Sequence, residues 1–122
     1  MELMVARAWP TPRGGQGRAG PVVRGRAAVA RPDGPPPDPE PGAVLVVEWL
    51  PAAWVPELKN VVAVVTEVGG LLSRPATLLR ERAIPAVLGV DGATRAIGDG
   101  DLVEVDPFEG AVRLLAAPAG RR

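Results

Sequence analysis

The chain has 122 residues, of which 47% are hydrophobic, and its fourteen basic side chains are balanced by fourteen acidic ones. This length suits one domain with a modest hydrophobic core. Cysteine and histidine are absent, which excludes disulfides and thiolate chemistry and removes the commonest metal ligand and the commonest general base.

The distribution of charge and of apolar runs bears on location and partners. Arginine prevails over residues 1–31, and acidic side chains prevail over residues 32–73. We interpret the basic part as a solvated tail and first strand, because no interleaved aromatic residues or binding motif accompany it, and we expect no nucleic-acid partner.

No apolar run approaches the roughly 18 residues that span a bilayer, and the N-terminus lacks the apolar region of a signal peptide. These features predict a cytoplasmic protein without membrane contact.

Composition divides the chain into three parts. Residues 1–20 contain turn formers and charges but no sustained apolar period, which predicts a flexible N-terminal segment. Residues 21–116 carry the periodic patterns of a folded domain. Residues 117–122 are expected to form a C-terminal tail.

The first half of the domain shows strands separated by proline-rich connections. Small apolar residues alternate roughly over 22–30, as in an edge strand, and the prolines of 31–42 predict an extended surface loop. Continuous β-branched runs over 43–49 and 61–66 are typical of strands buried on both faces at the centre of a sheet. Between these runs two prolines bracket Trp54, which predicts a short helical turn with Trp54 as a packing residue.

A helix is predicted after the second buried strand. Ser73 is expected to be its N-cap, with Pro75 in the first turn, where the missing N–H is harmless. Leu79 and its apolar neighbours are expected to face the sheet. Pro85 is expected to end the helix at Ile84.

The last part of the domain is predicted to be mainly strand. Residues 86–90 form another buried run, and residues 92–97 predict a helical turn. Residues 102–106 and 111–115 show the alternation of a hairpin. One helix among several strands predicts a layered α/β or α+β domain with more sheet than helix.

An ordered series of residues in the second half of the chain is specific to one known family. A buried strand is followed by Gly-Gly, Ser, a helix, an Ile-Pro-x-Val-x-Gly strand, Asp-Gly-Asp-x-Val-x-Val-Asp and Gly-x-Val. With these features the chain resembles, over about residues 20–115, the swivelling domain of phosphoenolpyruvate synthase, pyruvate phosphate dikinase, the first enzyme of the sugar phosphotransferase system and rifampicin phosphotransferase. The matching residues are Gly69, Gly70, Ser73, Ala76, Arg80, Ile84, Pro85, Val87, Gly89, Asp99, Gly100, Asp101, Val103, Val105, Asp106, Gly110 and Val112.

The resemblance implies a compact α/β domain of β/β/α type, which in the family is tethered between an ATP-binding domain and a barrel that handles phosphoenolpyruvate and pyruvate. In the family a histidine after the serine carries the phosphoryl group, and the matching position here is Arg74. A guanidinium stays protonated and has no lone pair to offer. Leu72 stands where the family has threonine, and Pro75 stands where it has a small residue. The resemblance therefore implies a degenerate lineage that has lost the carrier reaction.

Two hydroxyl groups are candidates for a substitute acceptor. Ser73 and Thr77 have no histidine or other strong base nearby in sequence to activate them, so we interpret Ser73 as a cap and Thr77 as a back-bonded surface residue. Glu67 could act as a base, but a solvated carboxylate at the end of a strand is the favoured interpretation. No catalytic residue is therefore assigned.

A binding role at the same turn is a further hypothesis. Backbone N–H groups after Gly69 and Gly70, the helix that begins after Ser73, and the Arg74 guanidinium would together favour a phosphate-like anion. The alternative is that the glycines only permit a tight turn and that Arg74 extends into water.

These features lead to one functional expectation and one alternative. We expect a stand-alone, non-catalytic mobile-like domain that binds or regulates an ATP- or phosphoenolpyruvate-handling protein in trans. The alternative is a phosphotransferase component of a split enzyme that uses an acceptor other than histidine. Neither a cofactor nor a metal ion is expected, since Asp99, Asp101 and Asp106 are interpreted as turn residues and not as Mg²⁺ ligands.

Overall fold

The computed structural model describes residues 2–5, 22–70 and 72–118. The strands in these ranges are β1 (Glu2–Val5), β2 (Val23–Ala30), β3 (Ala43–Val47), β4 (Val61–Thr66), β5 (Ala86–Val87), β6 (Leu102–Asp106) and β7 (Ala111–Ala116). The helices are a 3-10 helix (Ala52–Glu57), α1 (Arg74–Glu81) and α2 (Ala93–Ala96). The strands form one mixed sheet in the order β1-β7-β6-β2-β3-β4-β5. This architecture confirms the predicted α/β domain with more sheet than helix.

The centre of the sheet contains the parallel strands β3 and β4, as the β-branched runs predicted. Every residue of β3 is buried. Val44 and Val46 pack into one hydrophobic cluster together with Ala93 of α2, whereas Leu45 and Val47 pack into a second cluster with the 3-10 helix and Leu79 of α1. Because successive side chains of a strand point to opposite faces, one strand supplies both cores. This explains why the run is continuously apolar.

Strand β2 joins the two halves of the sheet, so its prediction as an edge strand is wrong. Residues 23–26 pair antiparallel with β6, and residues 27–30 pair parallel with β3. Gly25 permits this arrangement, because a Cβ at that position would lie 2.2 Å from the carbonyl oxygen of Gly42. Small residues in a strand signal weak side-chain packing or a close backbone approach, and the sequence alone does not distinguish the two.

Several element ends differ from the predicted ones. β3 stops at Val47, and β5 has only two residues. α1 ends at Glu81 and not at Ile84, because Ala83 adopts a left-handed φ of 58°. The Ala83 N–H donates to the Arg80 carbonyl and the Ile84 N–H donates to the Leu79 carbonyl, which is the pattern of a Schellman helix ending. Glycine usually occupies that left-handed position, so an alanine there does not signal a helix end.

The ends of the chain and its long loop complete the fold. β1 lies within the segment predicted to be flexible and pairs antiparallel with β7, so this part is a strand. The rest of residues 1–20, and residues 119–122 of the predicted tail, lie outside the described residues. Residues 31–42 form an irregular and largely exposed loop, as their prolines predicted. None of the helices in the described ranges has the length and hydrophobicity needed to cross a membrane.

The substitution Gly25→Ala tests the close approach that allows β2 to pair on both sides. Its Cβ would overlap the Gly42 carbonyl oxygen, so we expect the free energy of unfolding to fall by about 1–3 kcal/mol. Gly34→Ala is the matched control, because its nearest atom would be the Arg31 carbonyl oxygen at 4.0 Å, and it should change stability by less than about 0.5 kcal/mol. Urea unfolding measures both. Equal midpoints for the two variants would contradict the close approach.

Candidate functional site

The predicted site residues lie where β4 ends and α1 begins. Beyond Thr66, the N–H groups of Glu67 and Val68 donate to the Glu48 carbonyl at 3.0 and 2.8 Å, which ties the start of this turn to the chain leaving β3. Gly69 then adopts a φ of 142°, a conformation that L side chains rarely adopt. Gly69 and Gly70 are both exposed. The turn therefore presents backbone to solvent beside the first residue of α1.

The Ser73 hydroxyl caps α1, which confirms its predicted structural role. Its Oγ accepts a hydrogen bond from the Ala76 N–H at 3.3 Å and donates to the Gly70 carbonyl at 2.8 Å. Thr77 Oγ1 donates to the Ser73 carbonyl at 3.3 Å, so Thr77 is back-bonded as predicted. Both hydroxyl protons are thus directed at carbonyl oxygens. Neither is directed at a group that could remove it.

The Arg74 side chain is exposed at the first position of α1 and forms no ion pair with the described residues. The backbone around it offers few donors to an anion. Pro75 has no N–H, and the Ala76 N–H already donates to Ser73 Oγ. An anion at this helix start would therefore have to be bound by the guanidinium and the backbone N–H of Arg74, together with the exposed backbone of the glycine turn.

The Glu67 carboxylate is engaged by Thr94 and is not placed to act as a base. Its Oε2 accepts hydrogen bonds from the N–H of Thr94, at 2.7 Å, and from the Thr94 hydroxyl. Glu67 is half-buried, so its interpretation as a solvated carboxylate is wrong. It joins the end of β4 to α2, and no signal in the sequence connected these two residues.

A cleft of about 140 Å³ adjoins the turn and was not predicted from the sequence. It lies beyond the C-terminal ends of β3, β4 and β5, against the first turns of α1. Gly69 and Ser73 lie at its edge, and its apolar lining includes Trp49, Leu50, Val68, Pro75, Leu79 and Leu88. Thr66 also lines it, and this side chain is buried with no hydrogen-bond partner for Oγ1 among the described residues. The only sequence signal is a threonine that ends an otherwise aliphatic strand.

The aspartates considered as metal ligands serve the backbone. Asp99 Oδ1 accepts from the Val29 N–H at 2.9 Å, and Asp101 Oδ2 accepts from the Gly98 N–H at 2.7 Å. Asp106 Oδ1 accepts from the N–H groups of the two residues after Pro107, each at 3.1 Å. The contacts of Asp101 and Asp106 are local to their turns, as predicted, whereas Asp99 joins its turn to β2. Within the described ranges, no three acidic side chains come together as a metal site.

The substitution Ser73→Ala tests the capping role. Loss of the cap should lower the free energy of unfolding by about 1 kcal/mol, within a range of roughly 0.5–2 kcal/mol. Thr77→Ala is the control, since its exposed hydroxyl only back-bonds within the helix, and its effect should stay within about 0.5 kcal/mol. Thermal or urea unfolding provides the comparison. A Ser73→Ala protein as stable as the wild type would contradict the cap.

Comparison with known sequences places the chain in a family. Residues 39–110 match the family model described as PEP-utilising enzyme, mobile domain. A chondramide synthase of Chondromyces crocatus is 46% identical over 102 residues, which is 84% of this chain and 2% of that protein. A rifampicin phosphotransferase of Bacillus subtilis is 37% identical over 94 residues, which is 77% of this chain and 11% of that protein. The chain thus corresponds to a small part of each relative.

Solved structures agree with this placement. An NMR structure of Enzyme I is 35% identical with a TM-score of 0.57 and covers 63% of this chain and 32% of its own. Aconitase X of Thermococcus kodakaraensis reaches a TM-score of 0.66 over 94% of this chain and 99% of its own, but at 21% identity it shows the fold alone. From the family match over residues 39–110, together with the identity to these relatives, we conclude that the chain belongs to the family of PEP-utilising enzyme mobile domains.

Proposed function

We propose that this mobile domain binds and regulates a phosphotransfer partner without itself carrying a phosphoryl group. The observation that carries the proposal is the hydrogen bonding at the start of α1. Ser73 Oγ is engaged on both sides, by the Ala76 N–H and the Gly70 carbonyl. Arg74 occupies the position where the resembling enzymes have their acceptor histidine.

Phosphoryl transfer to a side chain needs an atom with a free lone pair and a group that takes up its proton. The Arg74 guanidinium offers no lone pair. To act as a nucleophile, Ser73 would have to give up the proton that its hydroxyl donates to the Gly70 carbonyl. Glu67, the nearest carboxylate in sequence, is engaged by Thr94. These contacts favour a scaffold over a carrier.

The partner of this proposal is an ATP- or phosphoenolpyruvate-handling protein acting in trans, in the cytoplasm. Support comes from the relatives, because the stretch that matches this chain is a small part of proteins whose names include a phosphotransferase and Enzyme I. We infer that the domain uses for this partner the same surface with which a mobile carrier docks. The domain would then occupy the docking position on the partner without delivering a phosphoryl group.

An anion-binding role at the same turn is a second candidate, favoured by an Arg74 side chain that is exposed and forms no ion pair with the described residues. A cation in the first turn of a helix opposes the helix dipole by roughly 0.3–1 kcal/mol, and a bound phosphate would relieve that conflict. Gly69 and Gly70 leave the backbone beside it open to solvent. Few backbone N–H groups at the start of α1 are free to donate to a ligand, so we expect an anion to bind weakly.

A labelling experiment tests the proposed function. The protein is incubated with radiolabelled ATP or phosphoenolpyruvate and with a phosphoenolpyruvate synthase from which its own mobile domain has been removed. We expect no label on the wild-type chain, because no side chain at the turn is both nucleophilic and activated. The mass of the intact protein provides an independent measurement. A stoichiometric phosphoryl group that disappears in Ser73→Ala or Thr77→Ala would contradict the proposal and favour the alternative acceptor.

A triple variant provides the positive control for that experiment. Leu72→Thr, Arg74→His and Pro75→Ala together restore the acceptor pattern of the family at positions that are exposed or half-buried. We expect this variant to remain unlabelled alone and to accept label only when the catalytic domains are added. Label on the variant but not on the wild type shows that the assay and the docking work. For the anion-binding candidate, NMR titration of the wild-type protein with inorganic phosphate should shift the signals of Arg74 and Gly70, and the Gly70 shift should be lost in Arg74→Gln.

A further inference from the structure

The Thr66 side chain is the feature that neither the fold nor the proposed function uses. It ends a strand in which its two preceding residues are valines, it is 1% exposed, and its hydroxyl has no hydrogen-bond partner among the described residues. Buried hydroxyl groups are nearly always hydrogen-bonded in folded proteins, because an unpaired one retains its full desolvation penalty. Thr66 Oγ1 therefore requires a hydrogen-bonding partner that the described residues do not supply.

The surroundings of Thr66 define what that group belongs to. The cleft beside it is lined mainly by apolar side chains, among them Trp49, Val68, Leu79 and Leu88. None of the described residues that line it is charged, so a carboxylate or phosphate placed there would be desolvated without a counter-charge from them. Trp49 and Val68 are about half exposed at 46% and 56%, so the rim of the cleft offers apolar surface that a ligand would cover.

The position and size of the cleft also favour a small ligand. It lies at the carboxyl ends of the parallel strands, which is where open α/β sheets bind their ligands. Its volume is about 140 Å³, and apolar cavities of about 150 Å³ accommodate a benzene ring. Gly69 leaves room on the side of the turn, because a Cβ there would lie 3.5 Å from Thr66 Oγ1.

We propose that this cleft is a binding site for a small neutral organic molecule with an aromatic or branched aliphatic body and one hydroxyl or carbonyl group. The body packs on Trp49, Val68 and Leu88, and the polar group pairs with Thr66 Oγ1. This site is distinct in chemistry from the anion candidate at Arg74, which is charged and exposed. The inference goes beyond the proposed function because it requires neither a phosphoryl group nor the partner protein.

Two threonine variants test the unpaired hydroxyl in the free protein. Thr66→Val keeps the shape of the side chain and removes the hydroxyl, so we expect the melting temperature to rise by about 2–8 °C. Thr94→Val is the matched control. The Thr94 hydroxyl donates to Glu67, so its removal should lower the melting temperature. A fall of similar size in both variants would show that Thr66 is paired in the free protein and would overturn the proposal.

Binding is tested by NMR titration with 4-methylphenol, toluene and benzoate. We expect saturable shifts of the Trp49 indole and of the Val68 and Leu88 methyl groups, with 4-methylphenol bound more tightly than toluene and with no saturable shift for benzoate. Thr66→Val should weaken 4-methylphenol binding about three- to tenfold and leave toluene binding within about twofold. Thr66→Ser, which retains the hydroxyl, should keep the preference for 4-methylphenol.

The same titration contains the results that would overturn the inference. An absence of saturable shifts with all three probes in the wild-type protein would mean that water alone satisfies Thr66. Preferred binding of benzoate would mean that the site recognises anions. An equal loss of 4-methylphenol and toluene binding in Thr66→Val would mean that the hydroxyl takes no part. These outcomes leave the labelling result for the proposed function unaffected, so the two claims fail separately.

Discussion

The parallel pairing of β3 with β4 is the constraint on which the rest of the structure depends. Its register sets Val47 opposite Thr66, so both strands end at the same edge of the sheet. From that edge the chain leads to the 3-10 helix after β3 and to the glycine turn and α1 after β4. Because the strands are buried on both faces, a shift of one residue would exchange the two hydrophobic clusters and is strongly disfavoured. The positions of Thr66, Gly69 and Ser73 follow from this register.

The chemistry at this edge separates into two neighbouring environments. The side facing solvent carries the Arg74 guanidinium and the exposed glycine turn, where water screens charge and weakens any anion contact. The side facing the sheet is an apolar cleft with one unpaired hydroxyl from Thr66. Ser73 lies between these two environments, and its hydroxyl caps α1. A carrier would need that region to present a nucleophile, and we propose that it serves the recognition of another molecule instead.

The fold was largely predictable because its signals are local or periodic. The valine runs of β3 and β4, the Ser73 cap and the alternation of β6 and β7 each follow from the physical chemistry of a few consecutive residues. The errors concern tertiary contacts. Gly25 could not reveal that β2 is paired on both sides, Ala83 gave no sign of a left-handed helix ending, and the hydrogen bonds between Glu67 and Thr94 join residues far apart in sequence. Of the site, the glycine turn and the Ser73 cap were visible in sequence, whereas the Thr66 cleft depends on four separate segments.

The central claim is that the turn before α1 is a helix cap in a binding domain and not a phosphorylation site. The most direct measurement is the phosphorylation state of the protein isolated from its own cells, determined by tandem mass spectrometry of the peptides that contain Ser73 and Thr77. We expect both residues to be unmodified, since each hydroxyl donates to a backbone carbonyl. A phosphoryl group on either residue in a large fraction of the molecules would contradict it.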